Sequence, residues 1–127
     1  MPDGVHKKFE NLEKRTELIG ILEEISDHAA QKEFWIDHID YPNASGIDHV
    51  FHLLFDDTNL GSDSNSEIGY ILSNENEAKN IQNLCDKLSE IHSRLGDCES
   101  ISYINDREWG DVMKLSKVAL DSMVQVT

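Results

Sequence analysis

The sequence predicts a mainly α protein, a compact bundle of about five helices around one core. Three observations point there. Apolar residues recur at helical spacing in several separate segments. Asn74 and Asn105 each stand three residues ahead of a glutamate, Glu77 and Glu108, a pattern that starts helices. Gly96 follows the longest apolar stripe, at the position where helices end. At 127 residues the chain is expected to be a single domain, 1–127, large enough to fold without disulfides or metal.

The first helix is expected from about Val5 to His28. Phe9, Leu12, Ile19, Leu22 and Ile25 recur at helical spacing there, Leu18 and Ile21 widen the stripe, and Gly20 weakens it slightly. A short second helix is expected over Lys32–Ile39, with Phe34, Trp35, Ile36 and Ile39. It must stop near Tyr41-Pro42, because the residue before a proline is pushed out of helical conformation. Pro42 to Gly46 reads as a turn, with Ser45 as the cap of a third helix carrying Ile47, Val50, Phe51 and Leu54. The run Val50–Phe55 also reads as a buried strand. Paired with Ile68–Leu72, it gives an α+β alternative. Asp56–Glu67 is polar, rich in turn formers, and expected as a flexible loop. A helix follows from Asn74 to Gly96 with Ala78, Ile81, Leu84, Leu88, Ile91 and Leu95 on its apolar face. A last helix, capped by Asn105, carries Trp109, Val112, Met113, Ala119, Leu120 and Met123.

Charge is the strongest functional signal. The net charge is -14, and between Thr16 and Ala78 fourteen acidic residues face one basic residue, Lys32. The first twenty residues balance, and the excess belongs to the middle of the chain. Such a field disfavours nucleic acid, whose phosphates need clustered Lys and Arg, and is repelled by an anionic membrane. It favours a basic protein partner. No apolar leader or membrane-length run is present, so the expected location is cytoplasmic, with Cys85 and Cys98 reduced.

Motifs of chemistry are weak. His49, His52 and Asp56 have i, i+3, i+7 spacing that suits a metal, as in a hydrolase, but no third nitrogen or sulfur donor stands nearby in sequence. Asp56–Glu67 imitates a calcium loop, with Gly61 at position 6 and Glu67 at position 12. It fails at Leu60, where an oxygen ligand belongs. Nucleophile elbow, phosphate loop and dinucleotide fingerprint are missing. The expectation is a binding protein rather than an enzyme, with no cofactor and no metal.

Phe34-Trp35-Ile36, Tyr41-Pro42, the block from Val50 through His52-Leu53-Leu54-Phe55-Asp56-Asp57-Thr58, Ile68-Gly69-Tyr70-Ile71-Leu72 with Glu77-Ala78, and Tyr103-Ile104 with Trp109 carry a resemblance. Over roughly residues 30–120 the chain resembles a family of small acidic bacterial proteins of uncharacterised function, familiar from actinomycetes, which implies no catalytic residues. In type, it also resembles immunity proteins of contact-dependent inhibition and other polymorphic toxin systems. That resemblance implies a cytoplasmic protein that binds and neutralises a basic toxin domain, such as a nuclease. The expected contact set is Asp37, Asp40, Asp48, Asp56, Asp57, Asp63 and Glu67. The alternative is a stand-alone regulatory or interaction domain with no toxin partner.

Overall fold

The computed structural model describes residues 10–37 and 46–126, and they are mainly α-helical. Seven α-helices occur among them, α1 Leu12–Ile25, α2 His28–Gln31, α3 Ile47–Phe51, α4 Leu60–Asp63, α5 Glu75–Leu95, α6 Ser100–Ile104 and α7 Trp109–Val126. The expected five grow to seven because α4 forms within the stretch read as a loop and α6 within a stretch read as no element. Two wider, π-helical turns continue α2 and α3, over Lys32–Asp37 and His52–Asp57, and a 3-10 turn spans Ser64–Glu67.

The α+β alternative is overturned. Val50–Phe55 is helical throughout. Ile68–Leu72 is a tight turn closed on itself by a single Ile68–Leu72 bridge. The Glu67 carbonyl accepts the amides of Tyr70, Ile71 and Leu72 at 3.0–3.1 Å, and Gly69 supplies the positive φ of 92° that such a turn requires.

The long helices build the frame. α7 packs against both α5 and α1, and α4 lies on α5. Leu18, Leu22, Ile25, Ile81, Leu84, Leu88, Ile91, Val112 and Ala119 are fully removed from water at their shared centre. Burying a side chain of the Val, Leu or Ile kind contributes about 1.5–3 kcal/mol. Trp35 and Trp109 meet edge to face at 5.9 Å and 70°. Their indole N–H groups donate to Glu24 Oε1 at 2.8 Å and Gln31 Oε1 at 3.0 Å, as buried indoles require.

Helix ends are where the expectations shift most. Val5–Phe9, Ile39, Tyr41-Pro42, the turn from Pro42 and the Ser45 cap lie outside the described residues. α1 begins at Leu12, with Asn11 Oδ1 accepting the Lys14 amide, and ends three residues before His28 because Asp27 caps a new helix, α2. Leu12 is exposed, against its expected place on the apolar stripe. The Ile47 amide at the head of α3 donates to the Ser100 hydroxyl at 3.0 Å, which fastens α3 to α6. The loop expected over Asp56–Glu67 is instead α4 and the 3-10 turn, because Leu60 buries completely and pulls it down. Asn74 caps α5 as expected, and Gly96, at φ 72°, closes it. Asn105 instead ends α6. The Asp106 carboxylate accepts the Glu108 amide at 3.0 Å in the turn that leads into α7.

Candidate functional site

Short elements of the middle of the chain meet the end of α5 and α6 around a cleft of about 340 Å³. α3 and the π-helical turn after it supply Asp48, Phe51, His52, Phe55 and Asp56, with Ile47 at the base. α5 and the loop beyond it supply His92, Asp97 and Cys98, and α6 supplies Tyr103. The Phe51 ring is the hub. Its centroid lies 5.4 Å from Phe55, 5.1 Å from His92 and 5.8 Å from Tyr103.

Three local devices hold these walls. The Thr58 hydroxyl donates to the Leu53 carbonyl at 2.8 Å and closes the wide turn that presents Phe55 and Asp56. Gly61 lies against the Phe55 ring, where any Cβ would collide with it. The Tyr103 hydroxyl donates to the Gly96 carbonyl at 2.7 Å. Burial first, and then the neighbouring Cys98, Asp97 and Asp48, push that phenol up to about 12, so it stays a neutral donor.

Carboxylates rim the cleft, and among the described residues no lysine or arginine lines it. Asp48, Asp56 and Asp97 are exposed. Asp56 stands 3.5 Å from His52 and Asp97 3.2 Å from His92. Asp48 makes no ion pair among the described residues. The thiol of Cys98 donates to the Leu95 carbonyl at 2.8 Å, and the buried Cys85 thiol is pushed up to about 12, first by burial and then by Asp86. Neither carries the arrangement of an activated nucleophile, which needs a base against the sulfur. His52 and Asp56 reach the cleft and His49 does not line it. Among the described residues no three His, Cys, Asp or Glu side chains stand where they could hold a metal ion.

The expected contact residues separate. Asp48 and Asp56 come together at the cleft. Asp37 is exposed and pairs with Lys32 at 3.0 Å. Asp57 pairs with Lys14 of α1, whose hydrogen bond and charge hold the carboxyl below its ordinary value and lift the lysine. Asp63 is exposed at the end of α4. Glu67 is turned inward, 6% exposed, and accepts the Asn59 amide at 2.8 Å, so it braces the segment around α4. Asp40 lies outside the described residues.

A family profile described as a domain of unknown function (DUF7945) matches residues 9–126. The chain belongs to that family. No curated protein and no solved structure matches it. Every residue lining the cleft falls inside the DUF7945 match. Sequence reasoning on this DUF7945 chain missed His92, Asp97, Cys98 and Tyr103 as site residues. Tyr103 carries a faint signal, since an aromatic residue five positions past Cys98 has no stripe of its own to join. The others stand in the last turn of α5 or just beyond it, where polar residues are ordinary.

Proposed function

We propose that this DUF7945 protein is a cytoplasmic immunity protein that binds and neutralises a basic toxin domain, a nuclease, through its acidic surface. The observation that carries the reading is the cleft. Three exposed carboxylates, Asp48, Asp56 and Asp97, line it beside the Phe51, Phe55 and Tyr103 rings, and among the described residues no lysine or arginine lines it, in a chain of net charge -14. Some carboxylates elsewhere are paired with cations of the chain, as Asp57 is with Lys14 and Asp106 with Arg94. A net charge of -14 destabilises the free protein by self-repulsion, and a basic partner relieves that repulsion on binding. Apolar ring area beside the charges supplies desolvated contact, which charge alone does not. A nuclease presents a basic substrate cleft, and an acidic surface enters it in place of the phosphate backbone, with electrostatic steering speeding the encounter.

Co-expression with the product of the neighbouring gene tests the reading. The two proteins should co-purify, and the toxin's growth defect should disappear. Reversing charge with Asp48→Lys and Asp56→Lys should slow association about tenfold at low salt and flatten its salt dependence. A neighbouring product that neither binds nor harms cells, or association rates unchanged by the reversals, would refute it.

A further inference from the structure

We infer that the cleft is a receptor for a single arginine side chain, its guanidinium laid against the Phe51 and Phe55 rings and held at its edges by Asp48 and Asp56. The inference rests on the basic-partner reading and names the group that partner inserts. The cavity comes first. At about 340 Å³ it sits at the small end of pockets that take discrete ligands, which run to about 1,000 Å³, so it suits one side chain rather than a helix or a strand. Phe51, Phe55 and Tyr103 line it together with polar side chains, and the Phe51 ring centroid lies 5.1–5.8 Å from those of Phe55, His92 and Tyr103. Ring faces attract cations, and a flat guanidinium stacks on them where a compact ammonium does not.

The rim points the same way. Asp48 precedes Phe51 by three residues and Asp56 follows Phe55 directly, so carboxylates flank the ring pair along one strip of backbone. A carboxylate accepts two parallel N–H bonds from arginine, a geometry lysine cannot supply. The chain makes this bond itself elsewhere. Arg94 Nη1 and Nη2 donate to the two carboxylate oxygens of Asp106, each at 2.9 Å.

Short capped peptides test the inference without a toxin. Acetyl-Gly-Arg-Gly-amide, its lysine counterpart and its citrulline counterpart are titrated into isotope-labelled protein, with backbone amide and aromatic resonances followed. The arginine peptide should shift residues 47–56 and 92–103, the lysine peptide should bind at least about threefold more weakly, and the uncharged, isosteric citrulline peptide should leave the spectrum unchanged. Asp48→Asn with Asp56→Asn should abolish the arginine response while the amide spectrum stays dispersed. Equal responses to arginine and citrulline, no response at all, or an unchanged arginine affinity in the double variant would overturn the inference. The first two readouts use the unaltered protein, so misfolding of a variant cannot mask them. A toxin that still binds after a negative peptide result removes the arginine receptor and keeps the basic-partner reading. A positive peptide result with no toxin partner does the reverse.

Discussion

Arg15 occupies a position on α1 that faces the core, and it is fully buried. Its guanidinium pairs with both oxygens of Glu77 at 2.9 Å and donates to the carbonyls of Ile71 at 2.9 Å and Met123 at 3.2 Å. Glu77 also accepts the amide and hydroxyl of Ser73 at 2.8 and 2.9 Å. Burial pushes the Glu77 carboxyl up, and the Arg15 and Ser73 bonds outweigh it and hold it below its ordinary value. Sequence spacing placed Glu77 at a helix start, and that is where it stands, but its charge serves the core rather than the cap. A second carboxylate gives a direct pH experiment. Asp106 is lowered from 3.8 to about 2, first by its hydrogen bond from Arg94. A carboxyl that titrates lower in the folded state stabilises the fold above its unfolded value and loses that contribution as pH falls through the folded one. The urea midpoint should therefore drop between pH 4 and pH 2. Asp106→Asn, which keeps an acceptor for the Glu108 amide, should be less stable at pH 7 and fall less steeply over that range. An identical slope in the variant would show that this pair does not govern the acid limb.

At the scale of elements, the segment from Asp56 to Glu67 departs furthest from its sequence reading. Its turn-forming composition predicted an open loop, yet the buried Leu60 and the inward Glu67 make it a packed corner. Gly61, which sequence alone offered as a calcium-loop glycine, has a steric reason instead. A Cβ there would collide with the Phe55 ring and stand 2.9 Å from the Leu54 carbonyl. Gly61→Ala should cost about 1–3 kcal/mol in chemical denaturation and move the Phe55 ring resonances, because the wall of the cleft must give way. Gly20 is the control. It lies inside α1 with nothing within 4 Å of an added Cβ. Gly20→Ala should stabilise the protein by about 0.5–1 kcal/mol. If both substitutions were equally tolerated, Gly61 would not be what seats Phe55. α6 escaped the sequence reading altogether. It is one turn long, too short to display a period, and its place is fixed by Ser100 under α3 and by the buried Tyr103.

The whole molecule carries its net charge of -14 with few internal cations, so repulsion among exposed carboxylates opposes the compact state. Raising ionic strength from 0.01 M to 0.15 M shortens the screening length from about 30 Å to about 8 Å. The thermal midpoint should rise across that range. A midpoint that fell would mean that the ion pairs around Arg94 and Lys87 outweigh the repulsion. The helical class, the stripes of α5 and α7, the cap at Asn74 and the sign of the field were all legible in the chain. Each is local, written in spacing or in a count of charges. The burial of Arg15 and the union of Asp48–Asp56 with His92, Asp97, Cys98 and Tyr103 were decided only in three dimensions. A helical period shows that one face of a helix is buried. It carries no information about which distant face covers it, and that pairing is what makes the cleft.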